Sequence, residues 1–193
     1  MTTLRKAAFL DRDGVINLDH GYVYRWEDFE FVPGAIAAMQ RLQQAGYALV
    51  VVTNQSGIAR GMYGEADFQA LSQRMAAHLA EQGLTLAAIE HCPHLPDAQL
   101  PAYRQHCDCR KPAPGMLLRS AAAQGLDLAG SVMFGDKPSD LEAAASAGLG
   151  QGFLLAQNGE GPLPVLPTSV GAVPGFAALP AQSLAAAVVQ LLG

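Results

Sequence analysis

Ala7-Ala8-Phe9-Leu10-Asp11-Arg12-Asp13-Gly14-Val15 decides how the rest of the chain is read. Four apolar residues run directly into two carboxylates, two positions apart, and then a glycine, the pattern of a buried strand that ends in a polar turn. A strand without polar alternation is buried on both faces, as in a parallel sheet wrapped by helices. Similar short runs follow at Ala48 to Val52, Leu86 to Ile89, Val132 to Phe134 and Phe153 to Leu155. Helical periodicity fills the gaps. Pro33-Gly34 opens a helix that reaches Ala45 and stops at Gly46; Glu65 to Gln82 stops at Gly83, Pro114 to Gln124 at Gly125, and Ser139 to Ala147 at Gly148. The alternation predicts an α/β fold, a doubly wound Rossmann-like parallel sheet. Residues 159–180 dissolve into Gly, Pro and single apolar residues, and Ala181 to Leu192 is expected to be a terminal helix.

At 193 residues, 50% hydrophobic and 15% charged, the chain is expected to form one domain, 1–193, around its own core. Twelve basic against 17 acidic side chains, a net charge of −5 and no basic run speak against nucleic acid or an anionic membrane as partner. Small molecules become the expected ligands. No signal-peptide pattern opens the chain and no apolar stretch approaches ~20 residues, so a soluble, cytoplasmic monomer is expected. Cys92, Cys107 and Cys109 are odd in number and close together, which argues for metal or thiol chemistry over a disulfide framework.

Ligands of an open parallel sheet bind beyond the carboxyl ends of its strands, so chemistry is sought just after each apolar run. The first strand supplies Asp11 and Asp13; the second runs into Thr53-Asn54-Gln55-Ser56-Gly57; the fourth ends Gly135-Asp136-Lys137-Pro138-Ser139-Asp140. Taken singly, these are ordinary turns and helix caps, and Lys111 in Arg110-Lys111-Pro112 is an ordinary surface lysine. Together they are the parts of metal-assisted phosphoryl transfer. Asp11 can attack phosphorus, Asp11 and Asp136 can hold a magnesium ion, and Lys111 adds positive charge.

In order, Asp11-Arg12-Asp13-Gly14, Thr53-Asn54, Lys111-Pro112 and Gly135-Asp136 with Asp140 resemble the four signature blocks of the haloacid-dehalogenase-like phosphatases. Residues 53–61 and 107–112 narrow the resemblance to the family that holds the heptose bisphosphate and histidinol-phosphate phosphatases. The resemblance implies that Asp11 forms an aspartyl-phosphate and that Asp13 protonates the leaving alkoxide and then activates water. It also implies that Thr53 and Lys111 bind the transferring group, and that Asp136 with the Asp13 backbone carbonyl completes a Mg2+ shell with Asp11. Asp140 would support Lys111 or a metal water. Substrate contacts are implied for Arg12, Asp19, His20, Gly21, Tyr22, Thr53, Asn54, Gln55, Ser56, Arg110, Lys111 and Lys137. After Leu155, Ala156-Gln157-Asn158-Gly159-Glu160-Gly161 replaces the family's Thr-Gly-Lys-like turn, so no substrate role is implied for the tail.

Cys92-Pro93-His94 and Cys107-Asp108-Cys109 form two ligand pairs whose four soft or borderline donors suit one tetrahedral Zn2+. The bland alternative is reduced thiols beside a surface histidine; the resemblance matches all four positions. A closed four-ligand site has no open position for water, so zinc would be structural, pinning the loop that carries Arg110 and Lys111. His91 and His106 are expected to flank the ligands, and His78 to be an ordinary helix residue.

Only about forty residues separate the first two blocks, too few for a full cap domain, so an open, capless site is expected. Such access suits a sugar phosphate. Arg110, with Arg60 on the Gln55 to Tyr63 loop, could meet the second anionic group of a bisphosphate, whereas the cationic amine of histidinol phosphate would find two arginines poor partners. The resemblance implies magnesium-dependent removal of the 7-phosphate from a heptose 1,7-bisphosphate, ahead of hydrolysis of histidinol phosphate or another small sugar phosphate. A catalytically silent, zinc-stabilised binding module ranks behind both.

Overall fold

A computed structural model describes residues 4–171 and 173–193. Its sheet has six parallel strands in the order β3-β2-β1-β4-β5-β6, with β1 at Arg5–Leu10, β2 at Ala48–Asn54, β3 at Leu86–Cys92, β4 at Leu126–Gly135, β5 at Gln151–Leu155 and β6 at Ala177–Ala181. The helices are α1 (Ala35–Gln44), α2 (Ser56–Ala59), α3 (Glu65–Glu81), α4 (Gly115–Gln124), α5 (Pro138–Ala147), α6 (Thr168–Gly171) and α7 (Leu184–Leu192).

Strand alternation sorts the core into two layers. Ala8 and Leu10 of β1 face one way, into a cluster with Leu49, Val51, Phe134 and the inner faces of α1, α3 and α7. Ala7 and Phe9 face the other, packing with Val50, Val52, Met133 and residues of α4 and α5. Both faces of the strand are therefore dry, as its unbroken apolar run predicts. Between β1 and β2 the chain holds one 3₁₀ turn, Trp26–Asp28, and α1, leaving no inserted domain over the strand ends among the described residues.

Three expectations are corrected. β4 starts at Leu126, not Val132, because Leu126 and Asp127 pair with Arg5 and Lys6 before a register shift. The segment read as featureless contains α6 and the edge strand β6, which pairs with β5 from Gln151↔Ala177 to Leu155↔Ala181. The terminal helix starts at Leu184, where the Ser183 side chain accepts the Ala186 N–H, so Ala181 belongs to the sheet.

Candidate active site

β1, β2 and β4 are central neighbours, so their carboxyl ends deliver Asp11, Thr53 and Asp136 to one edge of the sheet. Two glycines give the acids room. Gly14 sits at φ +85°, where a Cβ would lie 2.4 Å from Asp136 Oδ2; a Cβ on Gly135 would lie 2.2 Å from the Asp140 Cβ. Any larger residue at either position would push an acid out of place.

Lys111 is the hub of the floor. Its buried ammonium is 2.6 Å from Asp140 Oδ1 and 3.0 Å from Asp11 Oδ1, and it donates to the Val52 carbonyl at 2.7 Å. The ammonium is thus held by two ion pairs and one hydrogen bond. Burial alone would lower the Lys111 pKa, but Asp11 and Asp140 outweigh it and raise the value. Asp140 also caps α5, its Oδ2 accepting the Lys137 N–H at 3.0 Å, so one side chain ends a helix and fixes the lysine. The Asn54 carboxamide pairs with the Lys111 backbone in both directions, each bond 3.1 Å.

Burial, opposed by Lys111, pushes the Asp11 carboxyl up to about 6, and burial beside Asp11 pushes Asp136 up to about 7. Asp136 Oδ1 is buried without a hydrogen-bond partner, with the Lys137 ammonium 3.8 Å away. Carboxylate oxygens of Asp11, Asp136 and Asp140 all lie within 4.8 Å of one another. Crowded, desolvated oxygen donors, with Asp136 Oδ1 and Asp140 Oδ1 both lacking a hydrogen bond, fit a hard divalent cation such as Mg2+. The side-chain trio is Asp11, Asp136 and Asp140; the Asp13 contribution expected from the sequence is its main-chain carbonyl, not its carboxylate. The carboxylate of Asp13 is engaged elsewhere: it accepts from Arg12 Nη2 at 2.9 Å, Asn17 Nδ2 at 3.0 Å and Gln55 Nε2 at 3.0 Å.

Arg12 lies behind Asp13 rather than on the pocket wall, 1% exposed and donating also to the Val23 carbonyl at 2.6 Å. Its guanidinium orients Asp13 instead of reaching into the pocket. A 170 Å³ pocket is lined by Asp13, Asp19, Gly21, Tyr22, Asn54, Gln55, Ser56, Tyr63 and Lys137. Lys137 Nζ stands 3.7 Å from Asp19 Oδ2 across it. Arg60 and His20 are exposed and do not line it; His20 lies 4.0 Å from Glu30.

Sequence reasoning assigned no role to Tyr63. Its buried hydroxyl donates to Gln55 Oε1 at 2.5 Å, while the Gln55 amide donates to Asp13 and, at 2.9 Å, to Thr53 Oγ1. The Tyr63 ring stacks on Tyr24 with centroids 5.0 Å apart. Its position at the end of the Gln55 loop is the one signal that could have drawn attention to it.

The second metal cluster assembles as expected. Cys92 Sγ is 3.0 Å from Cys109 Sγ and 3.6 Å from Cys107 Sγ, and His94 Nδ1 is 3.3 Å from Cys109 Sγ. A tetrahedral zinc site with Zn–S bonds of ~2.3 Å has ligand edges of roughly 3.8 Å, so the four atoms need little movement to close on an ion. Burial, then the Cys109 thiol, raises the Cys92 pKa. Arg110 Nη1 donates to the His94 carbonyl at 3.3 Å, so this loop holds the residue beside Lys111. His91 turns to Glu65 Oε2 at 2.8 Å, outside the cluster, and His78 packs against Trp26 and Phe31.

The model of the haloacid dehalogenase-like hydrolases matches residues 3–148. The chain is 50% identical over 155 residues to D-glycero-beta-D-manno-heptose-1,7-bisphosphate 7-phosphatase of Photorhabdus laumondii, covering 80% of this chain and 82% of that protein. It is 51% identical over 149 residues to the enzyme of the same name from Escherichia coli K12, covering 77% and 78%. The crystal structure of D,D-heptose 1,7-bisphosphate phosphatase from B. bronchiseptica, complexed with magnesium and phosphate, superposes with a TM-score of 0.76 at 35% identity over 97% of this chain and 98% of that one. No helix among the described residues is long and apolar enough to cross a membrane. The chain belongs to the haloacid dehalogenase-like hydrolase family and is a magnesium-dependent phosphoric monoester hydrolase.

Proposed function

We propose that the protein removes the 7-phosphate of D-glycero-beta-D-manno-heptose 1,7-bisphosphate, working as a single-domain, cytoplasmic monomer. The observation that carries this reading is the Lys111 hub, which sets one ammonium against Asp11 and Asp140, two members of an acidic trio with Asp136 whose oxygens lie within 4.8 Å of one another. The names of the relatives supply the sugar and its anomer.

In this reading the Asp11 carboxylate attacks phosphorus and the sugar alkoxide leaves, taking a proton from Asp13. Asp13 then removes a proton from the water that cleaves the aspartyl-phosphate, releasing phosphate and restoring Asp11. Thr53 and Lys111 bind the transferring phosphoryl oxygens, and Arg12, Asn17 and Gln55 aim Asp13. Asp11, Asp136 and the Asp13 main chain would hold Mg2+, which offsets the charge of the phosphoryl oxygens when bound. Cys92, His94, Cys107 and Cys109 would hold a structural Zn2+ that fixes Arg110. Arg110 meets the second phosphate of the sugar, and Asp19, Gly21, Tyr22, Ser56 and Lys137 its hydroxyls and the reacting group. Arg60 and His20, like Arg110, do not line the 170 Å³ pocket.

Side-by-side kinetics test the assignment. The heptose bisphosphate is expected to show a higher kcat/KM than histidinol phosphate, and Arg110→Ala to weaken it more than it weakens a small monophosphate. A preference for histidinol phosphate, or equal losses for both substrates, overturns the substrate and leaves the hydrolase chemistry standing.

A further inference from the structure

Asp19, Gly21 and Tyr22 form one wall of the pocket, yet among the described residues a single hydrogen bond ties the backbone of residues 19–22 to a distant part of the chain. The Asp19 N–H donates to the Asn158 side-chain oxygen at 2.7 Å, across 139 positions of sequence. Before the loop, the Leu18 N–H is held by the Glu30 carbonyl; after it, the Val23 carbonyl is held by Arg12. Inside the loop the remaining bond is local, Gly21 N–H to Asp19 Oδ1 at 3.0 Å.

The two non-glycine residues at positive φ among those described are Tyr22 and Asn158, both at 55°. One is in this loop and the other is the residue that holds it. A left-handed tyrosine costs free energy and persists only where its surroundings impose it. Asn tolerates that conformation better than most residues. At Asn158 it serves a tight turn, with the Gly159 N–H bonded to the Ala156 carbonyl at 2.9 Å and the Glu160 N–H to the Gln157 carbonyl at 3.1 Å. That turn is itself anchored. The Ala156 N–H donates to Ala181 at the end of β6, and Gln182 Nε2 donates to the Gly161 carbonyl at 2.7 Å.

We propose that Asn158 is a positioning residue for substrate, its carboxamide holding Asp19 and through it the Asp19–Tyr22 wall in the binding conformation, so that the tail braces the site from the far edge of the sheet. The brace extends to the reaction centre, because the Asp19 carboxylate faces Lys137 at 3.7 Å and Lys137 faces Asp136 at 3.8 Å. It gives residues 156–161 and β6 a task that lies beyond the family match, which ends at residue 148. The inference rests on the reading of residues 19–22 as a sugar-binding wall.

Asn158→Gly keeps the left-handed backbone and removes the acceptor; Asn158→Asp keeps an acceptor oxygen. By NMR hydrogen exchange, the Asp19 amide is expected to exchange at least about tenfold faster in Asn158→Gly and to regain protection in Asn158→Asp. For the heptose bisphosphate, KM should rise about 5- to 10-fold in the glycine variant with kcat within about twofold. For p-nitrophenyl phosphate, whose leaving group carries no sugar hydroxyls, KM should stay put. Unchanged Asp19 exchange, or equal KM increases for both substrates, overturns the brace. Tyr22→Ala separates this from failure of the underlying reading. If Tyr22→Ala raises the sugar KM and Asn158→Gly does not, the brace alone is wrong; if neither does, the wall is not a substrate wall and the proposal falls with it.

Discussion

At the acidic floor, on the carboxyl edge of the sheet, Lys111 sets its ammonium against two carboxylates and the Val52 carbonyl, and its backbone pairs in both directions with Asn54. At the rim, four residues depend on one long-range hydrogen bond and carry a strained tyrosine. The floor is made by parallel strands whose register fixes where each carboxylate emerges, so its geometry comes from the fold itself. The rim is made by loops, and its geometry comes from individual side chains. Chemistry that must be invariant sits on the sheet, while recognition of a particular sugar sits where a substitution changes one contact without disturbing the core.

The sharpest way to break this division is to change the floor without changing the fold. Asn at position 11 keeps the shape and a hydrogen-bond acceptor but cannot form an acyl-phosphate. Asp11→Asn is expected to lose turnover by about 10⁴-fold or more, with a melting temperature at or above that of the unaltered protein, since a buried carboxyl pushed up to about 6 is removed. Measurable phosphate release with magnesium present would mean that the floor does not work through this nucleophile.

A second break targets the loop that feeds the floor. Cys107 and Cys109 precede Arg110 and Lys111 directly, so loss of the ligand set should loosen both ends of the pocket at once. Cys107→Ser is expected to lower the zinc content from one per chain, to reduce the thermal midpoint and to depress kcat/KM for every substrate. Elemental analysis, thermal melts and kinetics check it; unchanged zinc and stability would show that the four side chains meet without holding an ion.

Much of the floor is legible in the sequence, because an apolar run ending in acids fixes both the strand and the point where chemistry leaves it. Asp11, Thr53 and Asp136 converge for that reason alone. Arg12 was less legible: a residue between two aspartates at a strand end can point to solvent or inward, and its burial follows from packing under Phe68 and the Val23 carbonyl. β6 left no periodic signal, since Ala-Ala-Leu-Pro-Ala is short and carries a proline that only an edge strand tolerates. Asn158 was hidden with it, although the rule that led to Asp11 applies there too. Asn158 follows β5 on the same carboxyl edge, but the turn stands out in the sequence only as a departure from the family pattern, because an Asn-Gly pair without charge signals no chemistry of its own.

A third test reads the charge balance of the floor directly. In the absence of magnesium, Asp11 and Asp136 titrate at about 6 and about 7, against an ordinary value of 3.8. The folded protein therefore holds protons that the unfolded chain has released, and the stability these two groups confer is fully present below about pH 4 and declines as pH rises through 6 and 7. Magnesium replaces those protons, so saturating magnesium should raise the thermal midpoint more at pH 7.5 than at pH 5. Equal stabilisation at both values would place the ion away from these carboxylates.

The smallest effect is expected where floor and rim join. Tyr63 belongs to a loop, but its hydroxyl acts through Gln55 on Asp13 and Thr53, both floor residues. Gln55 has one oxygen and one nitrogen to place, and the Tyr63 proton decides which faces Asp13: with the hydroxyl bonded to Oε1, the amide nitrogen is left to donate to the carboxylate. Tyr63→Phe removes that constraint while keeping the stack on Tyr24, so the fold should survive with a loss of about 0.5–1.5 kcal/mol from one buried hydrogen bond. If Gln55 then spends part of its time reversed, its carbonyl oxygen faces a carboxylate and Asp13 is pushed off line. The expected result is a fall in kcat of about 3- to 10-fold with KM little changed, shared by the heptose bisphosphate and p-nitrophenyl phosphate because both pass through the aspartyl-phosphate, whose hydrolysis needs Asp13 to take a proton from water. A change confined to KM for the sugar would make Tyr63 part of the rim, and would move the boundary between the two regions inward to Gln55.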